Sequence, residues 1–305
     1  MTRGFAGSGA ALLRHGAVVC AIAVVMFFLI RVIPGDVVDV LAAEGDLSDS
    51  EIAALRAELG LDRGVAAQFV AWLAAAARGD LGLSIRFERP VAEMIWFAVP
   101  GTLALAAKAL AIGLTLGIGL AAAAVIWPRR VFVWLVNAVN LWSIALPTFC
   151  VGLAAILIFS IWLGWLPVLG QATLPAMVIG IDIAGQLAKP LHEELKEIAA
   201  APFVRAARAR GQSRATIVFR HLLPNAAPVA IALSGLILAG LIGGTLTMEV
   251  LFGLPGLGTV ALQAILGRDY PVVQAVILVF ALAIVLVNAL TDLCQRALDP
   301  RLRHD

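Results

Sequence analysis

The chain has 305 residues, 62% hydrophobic and only 14% charged, with a formal net charge of +2 and a mean hydropathy of +0.99. A soluble domain is nearer half apolar and could not cover its surface at that charge density, so an ordinary water-soluble globule is excluded and lipid is the main solvent. The net charge says little by itself; the placement of the basic residues says more.

A membrane helix needs roughly 20 mainly apolar residues. On that template the sequence predicts an all-α integral membrane protein with about six transmembrane helices. They fall near His15–Ile33, Val99–Ile126, Val131–Leu163, Leu174–Leu191, Val229–Val250 and Val272–Leu293. The first apolar stretch is too long for a signal-peptide core and no small-residue cleavage site follows it, so it is expected to be retained. Arg31, near its outer end, is expected to snorkel toward the interface. With the N-terminus inside, the cytoplasmic segments hold 14 of the 22 basic residues, among them Arg129, Arg130, Lys196, Arg296, Arg301 and Arg303. The long outside segment, Pro34 to Glu93, holds five Arg against eleven Asp and Glu. Basic residues favour the cytoplasmic side, so both termini are predicted cytoplasmic.

The outside segment is too long for a bare connection. Ser48 and Glu51 have capping-box spacing, and Ile52, Leu55 and Leu59 share a face before Gly60. A second helical stretch carries Phe69, Trp72 and Leu73 before Gly79. A small helical extracytoplasmic domain is therefore expected after the first span. Span two contains Gly113 and Gly117, four apart, a spacing that lets membrane helices approach closely. Trp127, Trp134, Trp142, Trp162 and Trp165 fall mostly near span ends, as an interfacial belt would.

Two charges lie inside spans, Lys108 and Asp182. Both sit roughly 12–15 Å below the outer surface at about 1.5 Å per residue. Such charges need a partner or a wet cavity, so the two either pair with each other or face a path for solute. Cys20, Cys150 and Cys294 each lie in or beside an apolar run and read as small buried hydrophobes. The four histidines show no metal-ligand spacing, and no metal site is expected.

The longest polar interval of the C-terminal two thirds runs from His192 to Pro228. Phe203 to Arg210 favours helix, with Pro202 suited to its first turn and Gly211 able to take the left-handed turn that stops it. Gln212 and Ser213 form a joint, and a second helix, Arg214 to Leu223, leads to Pro224. Arg205, Arg208 and Arg210 add positive charge. A short helix held this way suits a groove on a partner protein. Between Met248 and Asp269, the residues Glu249, Gly253, Pro255, Gly256 and Gly258 predict an irregular outer loop that dips toward the path or meets an outside partner.

The spacing Ala206-Ala207, Gly211, Leu223-Pro224 resembles the EAA loop of ABC importer permeases. Arg205 stands where that pattern has Glu, and the basic-rich version resembles the dipeptide/oligopeptide/nickel branch. Further stretches resemble the B-type subunit of that branch in order along the chain. They are Arg31 to Asp36, Leu55 to Asp62, Gly79 to Ser84, Phe252 to Gly258, Arg268 to Gln274 and Leu298 to Arg301.

The resemblance implies a type I ABC importer permease fold. Residues 1–98 would hold the first span and the extracytoplasmic segment, 99–298 the permease core with a coupling loop at 192–225, and 299–305 a cytoplasmic tail. It implies a multi-pass protein of the bacterial inner membrane forming half of a path for small peptides. Nickel complexes, opines and glutathione-like solutes are the alternatives. The implied partners are a second homologous permease, two ATPase subunits carrying ATP and Mg, and an extracytoplasmic solute-binding protein; nucleic acid is not among them. Arg205, Ala206, Ala207, Arg208, Arg210, Gly211, Leu223 and Pro224 would form the ATPase-coupling element.

The chain itself carries no enzyme motif. None of its three lysines follows a Gly, so there is no phosphate-cradling loop, and His192 to Lys196 lacks the second His of a zinc helix. A stand-alone secondary transporter or channel would predict several paired intramembrane ionisable residues, and only Lys108 and Asp182 qualify.

Overall fold

A computed structural model describes residues 3–32, 35–45 and 48–298. The expected tail at 299–305, with Arg301 and Arg303, lies outside the described residues, as do Ile33 and Pro34 of the stretch after span one. The chain divides into two compact units, residues 1–101 with 255–285, and residues 102–254 with 286–305.

The first unit opens with α1 (Arg3–Val32), α2 (Val37–Glu44), α3 (Asp49–Glu58) and α4 (Val65–Ala76). The expected capping box forms: the Glu51 amide donates to Ser48 Oγ, and the Ser48 amide donates to Glu51 Oε2 at 2.8 Å. These bonds to the charged form hold the Glu51 carboxyl below its ordinary range. Gly60 takes a positive φ of 64° just beyond the helix. The aromatic residues of α4 pack on the first span: Phe69 and Trp72 lie 5.1 and 5.5 Å from the fully buried Phe27 ring. Arg31 does not snorkel. Its guanidinium lies 3.6 Å over the Phe27 ring and donates to Gln68 Oε1 at 3.0 Å and to the Phe27 carbonyl. The α4 helix packs on this side of α1 and supplies that acceptor.

The same unit contains the start of α5 (Val91–Ile126), the helix α12 (Leu257–Leu266) and the start of α13 (Tyr270–Leu298). Asp269 is fully buried and accepts the Ser84 hydroxyl at 2.5 Å and the amides of Ile85 and Arg86. The Tyr270 hydroxyl donates to the Gly35 carbonyl at 2.8 Å. A Cβ on Gly101 would stand within 1.9 Å of the Pro255 carbonyl oxygen, so only glycine admits the loop there. The stretch expected to be irregular is so only from Phe252 to Gly256. Glu249 belongs to the last turn of a helix and is fully buried, and α12 begins at Leu257 and takes in Gly258. Leu257, Ala261 and Ala264 recur at helical spacing on its buried face, a pattern the flanking glycines and proline obscure.

The second unit holds α6 (Arg130–Ala145), α7 (Thr148–Ala155) with a π-helical extension Ile156–Trp162, and α8 (Thr173–Ala199). Next come α9 (Pro202–Ala209), α10 (Arg214–Ile217), a π-helical turn Val218–Leu222 and α11 (Leu223–Leu251). The expected third span is broken. The helices on either side of Leu146 and Pro147 meet at 102°. The cause is local: proline disfavours helix at the residue before it and lacks an amide, and Leu146 is extended (φ −113°, ψ 120°).

Among the described residues four helices are long and apolar enough to cross a bilayer, five if the bent pair counts as one span. The α8 helix is not among them, although it occupies the fourth expected span. It is packed in protein. Leu105, Ala109, Ile179, Ile183, Leu187, Ile237, Leu241 and Met248 form the main core around it. A Cβ on Gly113 would meet Ile183 at 2.4 Å, and one on Gly180 would meet Ile112 at 2.6 Å. A Cβ on Gly185 would stand 2.3 Å from the Val139 carbonyl oxygen. The three cysteines are free and lie on the exterior rather than in the core. In a bilayer the exterior is apolar too, so a small hydrophobe has no reason to prefer the inside. The five tryptophans named above are likewise exposed.

Gly185→Ala is expected to destabilise the protein by about 1–3 kcal/mol, because the α6 backbone must move. Gly119 is the control, since a Cβ added there would meet nothing within 4 Å: Gly119→Ala should leave the melting midpoint in detergent unchanged or slightly raised. Asp269→Ala removes the acceptor of three hydrogen bonds in the first unit and should cost about 1–3 kcal/mol. A double-mutant cycle with Ser84→Ala should show strong coupling; additive effects would contradict the bond.

Candidate functional site

The polar interval leaves α8 at Ala199 and turns directly into α9. Ala201 is extended and Pro202 occupies the first turn, as its missing amide suits. Val204 and Ala207 are fully buried, three apart on one face. They join Ala121, Ala122, Ile126, Leu191, Leu195, Ile217, Val218, Leu222 and Ala226 in a second core. Phe203, Arg205, Ala206, Arg208 and Arg210 are exposed. Arg205 and Ala209 lie opposite the buried pair, and Phe203, Ala206 and Arg210 are exposed along one flank of it, so an apolar ring sits beside cations on an anchored helix.

The helix ends in a Schellman arrangement. Gly211 has φ 77°, its amide donates to the Arg208 carbonyl at 2.9 Å, and the Gln212 amide donates to the Ala207 carbonyl at 3.3 Å. Ser213 caps the next segment, accepting from the Thr216 amide at 3.1 Å. His221 Nε2 hydrogen-bonds Gln212 Oε1 at 2.8 Å across the joint. Leu223 is partly buried and Pro224 exposed, at the start of α11. The expected second helix forms with a π-helical turn inside it and runs on into α11 without a gap.

His192 and Lys196, which the sequence offers only as an incomplete zinc-helix spacing, stand one turn apart at the end of α8. His192 is buried, a ring nitrogen bonds the Ala121 backbone, and Nδ1 has no partner. Burial pushes its pKa below the ordinary histidine value, the Ala121 bond opposing this. A polar residue on the inward stripe of α8 is the signal that marks it in the sequence.

Lys108 and Asp182 do not pair. Lys108 is exposed, while Asp182 accepts Gln186 Nε2 at 3.0 Å and bonds the Thr148 side chain. Neighbouring residues on a helix face different ways; Ala109, fully buried, takes the packed face of α5 and leaves Lys108 off it. After the end of α11, Gly253 adopts φ 59° and the Phe252 carbonyl accepts the Gly170 amide at 3.0 Å. No group of three or more His, Cys, Asp or Glu able to hold a metal occurs among the described residues.

Several helices long and apolar enough to cross a bilayer, with a short helix presented at a glycine turn, mark a multi-pass membrane protein. The family model described as "binding-protein-dependent transport system inner membrane component" matches residues 113–304, and the chain belongs to that family. It is 33% identical over 301 residues to a putative peptide transport system permease protein of Brucella abortus (strain 2308), covering 94% of this chain and 96% of the relative. It is 32% identical over 289 residues to the glutathione transport system permease protein GsiC of Escherichia coli (strain K12), covering 93% and 94%. Among solved structures, an inward-facing MetNI methionine ABC transporter chain matches with a TM-score of 0.54 and 22% identity, over 68% of this chain and 96% of that one. The fold is that of a type I ABC importer permease.

Gly211→Val should strain the turn by roughly 1–2 kcal/mol, since φ is left-handed and no clash contributes. Hydrogen exchange across 202–212 should rise. Gly211→Asn should be nearly silent; equal loss for both would mean that backbone conformation is not what the glycine supplies.

Proposed function

We propose that this chain is one permease subunit of an ATP-driven importer of short peptides, and that α9 is the helix gripped by an ATPase. The observation that carries this is the anchoring of α9: Val204 and Ala207 fix one face into the core, the exposed Arg205 and Ala209 lie opposite, and Phe203, Ala206 and Arg210 are exposed along one flank. Arg205, Ala206, Ala207, Arg208, Arg210, Gly211, Leu223 and Pro224 form the coupling element. Closure of the ATPases on nucleotide biases the spans between inward- and outward-open states. The full assembly holds a second homologous permease, two ATPase subunits and an extracytoplasmic solute-binding protein. Both termini and α9 face the cytoplasm, as the basic residues favour. Lys108 and Asp182 lie on the solute path, and the stretch 249–258 serves the outer side.

Peptides are the cargo class because the Brucella relative carries that description over nearly its whole length. The similarity to GsiC supports a second cargo, glutathione, itself a tripeptide.

The test is uptake of labelled di- and tripeptides into vesicles carrying the chain with its genomic neighbours. ATP-dependent uptake is expected only with the ATPases and binding protein present, and Gly211→Val should reduce ATPase co-purification. Transport by the purified chain alone, or labelling of a cysteine at position 205 from outside intact cells, would overturn the proposal.

A further inference from the structure

A cavity of about 570 Å³ opens beside the joint between α9 and α10. Three cations line it from three segments: Lys196 at the end of α8, Arg208 of α9 and Arg214 of α10. None of the three has an ion-pair partner among the described residues, and no Asp or Glu lines the cavity. Glu193 and Glu197 share α8 with Lys196 but lie outside the lining. Three like charges drawn to one hollow repel one another unless an anion sits among them.

The wall contributes a second observation. His192 is 92% buried, lines the cavity and carries the unpartnered Nδ1. That nitrogen has almost no exposed surface, so the ring is part of the wall and the three cations supply the polar contacts.

Apart from Gln212 the remaining wall is apolar, and includes Val125 of α5, Pro128 just beyond it and Val133 of α6. Trp127, stacked on Phe132 at 5.8 Å, and Trp134 are exposed on the same turn. Exposed tryptophans mark the level of lipid headgroups. A free anion needs no such wall, whereas a phospholipid needs cations for its phosphate and apolar surface for the start of its chains.

We propose that this cavity binds the phosphate of an anionic phospholipid, held by Lys196, Arg208 and Arg214, with the acyl chains along the α5–α6 turn. The bound lipid ties the end of α8 to both sides of the Gly211 turn and so fixes the angle at which α9 is presented. The leaflet, cytoplasmic, rests on the orientation proposed above; the binding does not.

The test uses the full chain with its co-expressed partners, stripped of lipid in detergent. Phosphatidylglycerol, phosphatidylcholine and inorganic phosphate are titrated in turn, reading retained lipid by native mass spectrometry and the melting midpoint. Phosphatidylglycerol should be retained and should raise the midpoint. Each cation lost should weaken retention about fivefold, so Lys196→Gln with Arg214→Gln should weaken it roughly 25-fold. Val133→Trp, which fills the cavity and keeps every charge, should also abolish retention and guards against a misfolded double variant. Equal retention by either variant overturns the site. Equal protection by inorganic phosphate overturns the lipid as its source. No retention by the wild type, with ATPase co-purification lost in the double variant, would assign the cations to the partner protein instead. Loss of ATPase association with lipid retention intact strikes the proposed function and leaves this site standing.

Discussion

The seam between α8 and its neighbours is the constraint on which the rest of the second unit depends. Lipid tails are as apolar as leucine, so helices in a bilayer gain little from hiding apolar surface from them; close packing must hold the bundle. Glycine makes that possible here. Gly113 of α5 and Gly180 of α8 sit where a side chain would overlap Ile183 and Ile112, and Gly185 brings α8 onto the α6 backbone. With protein on most sides, α8 can carry groups that would be expensive in lipid. Fourteen of its 27 residues are buried, and its charges concentrate toward the C-terminal end. Its lower hydropathy is thus a consequence of its position, since the helix meets little lipid.

The broken third helix fits beside that seam. The 102° bend at Leu146 and Pro147 ends α6 and starts α7 anew at Thr148. A new helix start exposes amides and a positive dipole end, which favour a negative charge nearby. Asp182 of α8 meets α7 at Thr148, its first residue. The carboxylate therefore has a partner without any lysine, and Lys108 is left on the exterior of this chain.

What the sequence discloses divides by range. The Ser48–Glu51 box, the Gly60 stop and the Gly211 turn are legible because each needs only three or four adjacent residues to form. The helix positions are legible because apolar length alone nearly dictates them. The 102° break is masked by a long apolar run, although the proline that causes it stands in plain sight. The Ser84–Asp269 bond joins residues 185 apart in sequence; both lie in stretches that resemble family motifs, yet nothing local pairs them. Arg31 misleads for the same reason. Its surroundings, Gln68 and the Phe27 ring face, exist only once α4 has folded back on α1. The partners of polar residues are long-range facts, and a single chain read locally does not contain them.

The second core shows why a short helix can act on the whole unit. Ala121, Ala122 and Ile126 come from α5, Leu191 and Leu195 from α8, Leu222 from the π-helical turn, and Ala226 from α11. Val204 and Ala207 of α9 sit among all of them, fully buried. Interiors packed at this density do not deform smoothly, so a load on α9 is shared by three long helices at once. Gly211 adds the complementary property. It is exposed, it has open space around its Cα, and it needs a backbone conformation that other residues resist. Anchoring on one side of α9 and a turn of fixed shape at its end hold the helix in a single orientation against the second core.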